Sequence, residues 1–254
     1  MNGSKFLFAN WKMNVDEADA AALAREIKNC VLPAAVKVCV FPSFLSLPAV
    51  ARELKKSAVA VGGQDCFWED KGAYTGEISP AELAALGAKY VLVGHSERRR
   101  WLGETSAMVN GKVKAALKNG LTPVLCVGES ADDRAAGRWP VTLGRELEEG
   151  LRGVELAGNE KIIIAYEPVW AIGTGKACEA TDAVEAHKLI LNYLHELFGS
   201  ARKKENFSVI YGGSVDAKNI ADYFGNEEIG GALVGGASQK WAPLSEMFKA
   251  LADR

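Results

Sequence analysis

Short apolar runs alternate with amphipathic helical segments from one end of this 254-residue chain to the other. No Pro/Ser-rich linker and no low-complexity tract interrupts the alternation. Where strands and helices alternate strictly, the strands run parallel and the connections are right-handed, because each helix returns the chain to the same edge of the sheet. The alternation therefore predicts an α/β protein built on a parallel sheet.

Eight strands and eight helices are predicted from the periodicity of the apolar residues. The predicted strands are Phe6–Ala9, Val38–Phe41, Val59–Gly62, Tyr90–Val93, Pro123–Val127, Ile162–Tyr166, Val209–Tyr211 and Ala232–Val234. The predicted helices are Asp16–Asn29, Leu47–Lys56, Pro80–Leu86, Thr105–Lys118, Val141–Leu151, Thr181–Phe198, Ala217–Phe224 and Leu244–Leu251. Eight βα units of about thirty residues each predict a (β/α)8 barrel that occupies residues 1–254 as a single domain. A doubly wound open sheet is the alternative, although its usual G-x-G-x-x-G turn does not follow the first strand.

Charge and cysteine content argue against several classes of protein. The net charge of −2 and the pI near 6.0 disfavour a nucleic-acid-binding surface, which normally carries a basic excess. No stretch is long and apolar enough to span a bilayer and no targeting segment is evident, so we expect a cytoplasmic protein that does not bind membranes. The odd number of cysteines and the absence of a C-x-x-C pair predict reduced thiols, with neither a disulfide framework nor a zinc site. These cysteines are Cys30, Cys39, Cys66, Cys126 and Cys178.

Unusual polar residues follow three of the predicted strands. Asn10 and Lys12 follow the first strand, His95 and Glu97 follow the fourth, and Glu167 follows the sixth. The carboxyl ends of the strands form the functional rim of a barrel, so these side chains are expected to converge there. A carboxylate base with an imidazole and an ammonium group suggests proton abstraction next to a carbonyl group, with the enolate stabilised by His95 and Lys12. A Schiff base on Lys12 is the competing chemistry.

The segment Ala165–Lys176 combines a strand end with a glycine-rich loop. Pro168 ends the strand, because proline cannot donate to a ladder. Gly173-Thr174-Gly175 offers backbone N–H groups that no side chain shields, which suits closure over an anion. The segment is interpreted as a base followed by a closing lid, and an ordinary turn after a strand is the alternative.

Two glycine doublets follow the last two predicted strands, at Gly212-Gly213 and Gly235-Gly236. Barrels often build a phosphate site from backbone N–H groups at this position, and a monophosphate is favoured because no Walker-type sequence is present. Tight left-handed turns that require glycine are the alternative explanation. A barrel that binds a sugar phosphate without catalysis is the alternative to an enzyme.

Five motifs resemble the triosephosphate isomerase family, in the same order and across the whole chain. They are Asn10-Trp11-Lys12, Gly94-His95-Ser96-Glu97-Arg98-Arg99, Ala165 to Lys176, Tyr211-Gly-Gly-Ser214 and Leu233-Val-Gly-Gly236. The resemblance implies a homodimeric enzyme of glycolysis and gluconeogenesis that needs no metal or organic cofactor. Its reaction would be the interconversion of dihydroxyacetone phosphate and D-glyceraldehyde 3-phosphate through an enediolate.

The resemblance also implies a role for each residue of the predicted rim. Glu167 matches the base that moves the proton. His95 matches the neutral imidazole that polarises the carbonyl group, for which this family is itself the standard example. Lys12 matches the electrostatic partner of the enediolate. Asn10 matches a group that orients the substrate, and Glu97 matches an acidic residue that supports the site.

Further residues are matched to substrate binding, to the lid and to the dimer. The substrate and phosphate contacts would come from Asn10, Trp11, Lys12, Gly173, Ser214, Gly235 and Gly236. The two hinges of the lid would be Pro168-Val169-Trp170 and Lys176-Ala177-Cys178. Thr75, in the segment Gly72–Ser79, would reach the active site of the neighbouring subunit. Two positions depart from the family pattern, since Gly230 stands where the family commonly carries aspartate and Asp65 where it often carries asparagine.

Overall fold

The structure is a computed structural model, and it describes residues 4–156, 158–172, 177–199 and 206–252. Within these residues, eight parallel strands close into a barrel in sequence order, and the eighth pairs with the first. The strands are β1 (Lys5–Asn10), β2 (Val36–Phe41), β3 (Ala60–Gly63), β4 (Tyr90–Val93), β5 (Thr122–Val127), β6 (Ile162–Tyr166), β7 (Phe207–Tyr211) and β8 (Gly231–Val234). The predicted (β/α)8 fold is confirmed, and the open sheet is wrong. Each predicted strand agrees with the observed one to within two residues at either end.

Helices surround the barrel. Those of the described residues are α1 (Glu17–Asn29), α2 (Leu47–Glu53), α3 (Pro80–Ala85), α4 (Ser96–Leu102), α5 (Ser106–Lys118), α6 (Ala131–Ala135), α7 (Trp139–Leu151), α8 (Ala180–Phe198), α9 (Ile220–Phe224) and α10 (Trp241–Ala252). The sequence did not predict α4 and α6. Neither helix contains a buried residue, so neither has the apolar stripe from which periodicity is recognised.

Local side-chain hydrogen bonds explain where several helices begin. Ser79 caps α3 by accepting from the N–H of Glu82 at 3.3 Å, and Pro80 occupies the first helical position, as predicted. The helix α9 begins three residues after the predicted Ala217. There, the N–H of Asp216 donates to Oδ1 of Asn219 at 2.9 Å, and this local bond competes with the first helical turn.

The barrel strands are buried on both faces. Alternate residues of β1 show this, because Phe6 and Phe8 belong to the cluster inside the barrel whereas Leu7 and Ala9 belong to the layer beneath the helices. The inner cluster consists of Phe6, Phe8, Cys39, Phe41, Leu92, Val124, Cys126, Ile163, Ala165, Ile210 and Leu233. Since side chains fill the interior, a substrate has room only at the rim.

Four charged side chains form a cluster between β3 and the helices α4 and α5, and all of them except the half-buried Arg98 are buried. Nζ of Lys112 lies 2.8 Å from Oδ1 of Asp65 and 3.1 Å from Oε1 of Glu104. Arg98 contacts the same two acids, at 2.9 Å to Asp65 and 2.6 Å to Glu104. Burial raises the pKa of Asp65 to about 6, against the opposing effect of Lys112. The acid at position 65 therefore joins a compact network of two cations and two carboxylates.

All five cysteines are free, and all except the half-buried Cys30 are buried. Across the described ranges, no helix has both the length and the apolar character needed to cross a bilayer.

Candidate active site

The carboxyl ends of β1, β4 and β6 bring together the charged residues predicted from the sequence. Nζ of Lys12 lies 2.5 Å from Oε1 of Glu97, and Nε2 of His95 lies 3.2 Å from Oε1 of Glu167. Asn10, His95 and Glu167 are each less than a tenth exposed. Groups from distant parts of the chain thus meet at one rim, because parallel strands all end on the same side of the barrel.

Glu167 is a buried carboxylate whose two oxygens have different surroundings. The backbone N–H of Ser96 donates to Oε2 at 2.9 Å. Oε1 faces Nε2 of His95, but the angles between these atoms are not those of a hydrogen bond, so Oε1 has no hydrogen-bond partner among the described residues. A buried acceptor without a partner is costly, and here it leaves a lone pair free to accept a proton from a bound molecule.

His95 is held in one tautomer by the start of α4. It is the N-cap of that helix, and its Nδ1 accepts from the backbone N–H of Glu97 at 3.2 Å. A backbone N–H can only donate, so Nδ1 carries no proton and the ring is neutral with its proton on Nε2. The imidazole therefore presents an N–H donor on the side that faces Glu167.

Lys12 carries its charge on a backbone of unusual conformation. Its φ of 52° lies in the left-handed region, which residues with a side chain seldom adopt. Its N–H donates to Oδ1 of Asn10 at 3.0 Å, and its ammonium group pairs with Glu97. Asn10 and Glu97 thus hold the two ends of the same lysine.

A cavity of about 290 Å³ opens beside these groups. It is lined by Asn10, Lys12, Glu167, Ile172, Gly212, Gly213, Ser214, Val215, Asp216, Asn219, Leu233, Gly235, Gly236 and Ala237. The lining comes from the ends of β1, β6, β7 and β8, and it includes both glycine doublets. The volume suits a small metabolite, and the glycines leave backbone groups accessible to an anion.

Close packing explains three of the four glycines in the doublets, since only at Gly236 would an added Cβ meet no described atom within 4 Å. None of their residues has a positive φ, so the alternative of left-handed turns is wrong. A Cβ on Gly212 would lie 2.9 Å from Cγ of Glu167, and a Cβ on Gly235 would lie 3.3 Å from Cε of Lys12. Gly212 and Gly235 therefore leave the space that the side chains of Glu167 and Lys12 occupy.

Hydrogen bonds anchor both ends of the predicted lid. At the first end, Nε1 of Trp170 donates to Oε1 of Glu129 at 2.9 Å, and Oγ of Ser214 donates to the carbonyl oxygen of Ala171 at 2.7 Å. Pro168 precedes a short 3₁₀ turn that begins at Val169.

At the second end, the hydroxyl of Tyr211 accepts from the N–H of Cys178 at 3.0 Å, and the hydroxyl of Tyr223 donates to the carbonyl oxygen of Cys178 at 2.6 Å. The neighbouring Ala177 is half-buried. Gly173 and Lys176, which were also predicted, lie outside the described residues.

Several predicted residues are not among those that line the cavity, including His95, Glu97, Trp11 and Thr75. The side chain of Trp11 is wholly buried in the core and is not among the residues that line the cavity. Thr75 is on an exposed loop. No group of three or more His, Cys, Asp or Glu residues that could hold a metal ion occurs in the part of the chain that the structure describes.

Sequence reasoning missed three contributions to the site. They are the N–H of Ser96 at Glu167, the buried Glu129 at Trp170, and Gln64, whose Nε2 donates to the carbonyl oxygen of Lys12 at 2.8 Å. Each contribution depends on contact between residues far apart in the chain. A polar residue directly after a strand was an available signal for Glu129 and Gln64, since both follow the end of a barrel strand by one or two residues.

Comparison with known proteins adds to this geometry. The sequence model of a family described as triosephosphate isomerase matches residues 5–251. A triosephosphate isomerase of Thermoanaerobacter pseudethanolicus is 45% identical over 232 residues, which cover 90% of this chain and 92% of the relative. One of Moorella thermoacetica is 45% identical over 229 residues, covering 90% and 91%, respectively. One of Leptospira interrogans serovar Lai is 43% identical over 243 residues, covering 94% and 97%.

Proposed function

The chain belongs to the triosephosphate isomerase family, and from this premise we propose that it interconverts dihydroxyacetone phosphate and D-glyceraldehyde 3-phosphate. The observation that carries the proposal is the pairing of Glu167 with His95. Oε1 of Glu167 is a buried acceptor without a hydrogen-bond partner among the described residues, 3.2 Å from a ring nitrogen that bears a proton. An isomerase of this kind requires a base and a neutral donor side by side.

Glu167 would take a proton from the carbon beside the carbonyl group of the substrate. The electrons of the broken C–H bond form a carbon–carbon double bond, and the carbonyl π pair moves onto oxygen, which gives an enediolate. The carboxyl group then returns the proton to the former carbonyl carbon, which regenerates the carboxylate. The hydroxyl group on the other carbon gives its proton to the enediolate oxygen and becomes the new carbonyl group. One carbon is oxidised while its neighbour is reduced, so the reaction requires no external oxidant or reductant.

His95 and Lys12 would stabilise the charge that develops on oxygen. The Nε2–H of His95 donates to the carbonyl oxygen and can carry a proton between the two enediolate oxygens. Lys12 supplies a positive charge at the same rim, and Asn10, whose side chain holds the lysine backbone, orients the substrate. Glu97 keeps the ammonium group at the rim through its 2.5 Å ion pair. The same ion pair disfavours a Schiff base, because a Lys12 engaged as an ammonium ion has no lone pair with which to attack.

The glycine doublets would hold the phosphate group of the substrate. Ser214, Gly235 and Gly236 line the cavity, so their backbone N–H groups are available to such a group. We place Gly173 in the same role, from the family resemblance alone. Closure of the lid between Trp170 and Cys178 would exclude water from the enediolate and so prevent loss of phosphate.

We propose further that the protein is a cytoplasmic homodimer in which residues 1–254 form one domain. Exposed apolar side chains support an interface between two copies, since Met13, Leu45 and Leu102 are 94%, 88% and 64% exposed. They lie on the loops after β1 and β2 and at the end of α4, and the exposed Thr75 loop follows β3. These strands are adjacent in the barrel, so the four elements share one side of the rim. The free cysteines are consistent with a reducing compartment.

A coupled spectrophotometric assay with glyceraldehyde 3-phosphate tests the reaction and its base together. We expect Glu167→Gln to lower kcat by about 10²- to 10⁴-fold, the usual contribution of a general base. The matched control is Glu185→Gln, at an exposed carboxylate on α8, which should retain full activity. Unchanged turnover in Glu167→Gln would contradict the mechanism.

Two further results would point to other functions. Binding of the substrate without turnover in the parent protein would favour the non-catalytic sugar-phosphate-binding barrel. Borohydride trapping of a substrate adduct on Lys12 would favour the Schiff base. Sedimentation tests the assembly, and a monomer at assay concentration would contradict the homodimer.

A further inference from the structure

Gln64 joins the carboxyl ends of three adjacent strands through one side chain. It directly follows β3, and its Nε2 donates to the carbonyl oxygens of Lys12 and Phe41, at 2.8 and 2.9 Å. Phe41 is the last residue of β2, and its carbonyl oxygen also accepts from the N–H of Trp11 at 3.1 Å. Two carbonyl groups can only accept, so the nitrogen of the Gln64 amide must face them.

The backbone of Lys12 needs this support because of its conformation. A left-handed residue that is not glycine persists only where its surroundings hold it. At Lys12 both backbone polar groups are held by side-chain amides. Asn10 accepts from its N–H at 3.0 Å, and Gln64 donates to its carbonyl oxygen at 2.8 Å.

The conformation of Lys12 decides where its charge lies. The direction of the Cα–Cβ bond follows from φ and ψ, so relaxation to an ordinary conformation would swing the side chain away from its present course. On that course the side chain passes Gly235, where an added Cβ would lie 3.3 Å from Cε, and ends beside Glu97. The ammonium group is therefore at the rim only while the backbone stays left-handed.

We propose that Gln64 is a positioning residue, which acts on the reaction through Lys12 alone. It keeps the backbone of Lys12 left-handed and the ammonium group of Lys12 at the rim. This inference rests on the proposed function of Lys12. Gln64 contacts the lysine through a backbone carbonyl group, so its influence on catalysis disappears when the lysine side chain is removed.

A double-mutant cycle on kcat/KM tests this dependence, with the parent, Gln64→Leu, Lys12→Ala and the combined variant. Leucine is similar in size to glutamine but cannot donate a hydrogen bond. We expect Gln64→Leu to lower kcat/KM by roughly 10- to 100-fold in the parent, the scale of effect of a displaced catalytic group. In the Lys12→Ala background, Gln64→Leu should lower kcat/KM by less than about twofold, because Gln64 and Lys12 act as a unit.

Asn110→Leu is the matched control. Nδ2 of Asn110 also bridges two backbone carbonyl groups, those of Gly150 and Arg152 at 2.9 and 3.0 Å, but on helix α5 rather than at the rim. We expect a lower Tm for this variant with kcat/KM unchanged. If Gln64→Leu likewise lowers only the Tm, Gln64 is a structural residue and the inference is overturned.

The remaining outcomes separate this inference from the proposed function. An equal fold-loss in both backgrounds would show that Gln64 acts independently of Lys12, which overturns the inference. Full activity in Lys12→Ala would instead overturn the proposed role of Lys12.

If Gln64→Leu does not fold, Gln64→Asn replaces it in the same cycle, since asparagine keeps the amide but is one methylene shorter. A loss of activity confined to the Lys12-containing background is again the expected result, and an equal loss in both backgrounds is again the contrary one.

Discussion

The backbone N–H of Ser96 donates a 2.9 Å hydrogen bond to Oε2 of Glu167, although 71 residues separate them in the chain. Ser96 is the first residue of α4, and His95 is the N-cap of the same helix. The short segment that fixes the tautomer of the imidazole therefore also fixes one oxygen of the Glu167 carboxylate. The relative position of the Glu167 carboxylate and the imidazole depends on one turn of backbone.

Replacing Ser96 with proline removes this N–H and leaves the helix intact. Proline is favoured at the first helical position, and the residue before it must be extended, which His95 already is with φ −53° and ψ 138°. We expect kcat/KM to fall by about 10- to 100-fold, because the carboxylate loses the donor that orients it. Steady-state kinetics with circular dichroism measures the effect. Ser96→Ala, which keeps the N–H, is the control, and equal kinetics in the two variants would show that this hydrogen bond does not position the base.

Gly212→Ala tests whether the space beside the base matters. The added Cβ would lie 2.9 Å from Cγ of Glu167 and 3.2 Å from the carbonyl oxygen of Tyr166, so the carboxylate must move. We expect a loss of about 10²-fold in kcat, which is typical of a displacement near 1 Å. At Gly158 the nearest atom to an added Cβ is 3.9 Å away, so Gly158→Ala should behave like the parent. A Gly212→Ala variant with normal turnover would contradict this account of the glycine doublet.

The contribution of His187 to stability should fall on acidification. This side chain is fully buried, and burial, with a smaller effect of Lys5, lowers its pKa from 6.5 to about 4. The unfolded chain therefore binds a proton between these pH values that the folded chain does not bind, so the stabilisation is complete above pH 6.5 and declines toward pH 4. The shift corresponds to about 3 kcal/mol of unfolding free energy.

The His187→Gln variant isolates this contribution, since glutamine does not titrate. Urea unfolding at pH 7 and at pH 4.5 should show a smaller loss of stability for the variant than for the parent. The same loss in both proteins would exclude His187 as its source.

Lys112→Met should destabilise the fold strongly. The lysine is 1% exposed and neutralises Asp65 and Glu104. Its removal leaves these two carboxylates buried. Among the described residues, Arg98 is then the only cation within contact distance of them. Breaking a buried ion pair from one side costs about 3–5 kcal/mol. Denaturant unfolding measures this loss of unfolding free energy. The control is Lys118→Met, at the exposed Lys118–Asp70 pair, where we expect a much smaller loss of unfolding free energy. Equal effects at the two positions would mean that burial of the cluster is unimportant.

Much of the fold and of the rim could be predicted from local pattern. The buried run Ile162–Tyr166 has no charged residue, and Glu167 directly follows it, so both the strand and the carboxylate at its end are visible in the sequence. The helix α4 could not be predicted from the same kind of pattern. It buries no residue, and it exists because its capping histidine and its Arg98 are held by the barrel and by Glu104.

By itself, the sequence determined the parallel barrel and the residues at the ends of its strands, because apolar periodicity and strand length are local properties. Only the tertiary structure decided which atoms meet at the rim. The tautomer of His95, the unpartnered oxygen of Glu167 and the support of Lys12 by Gln64 all depend on distances that are set when the barrel closes. A hydrogen bond is made or lost over a few tenths of an ångström, and only the packing of the whole barrel defines positions that closely.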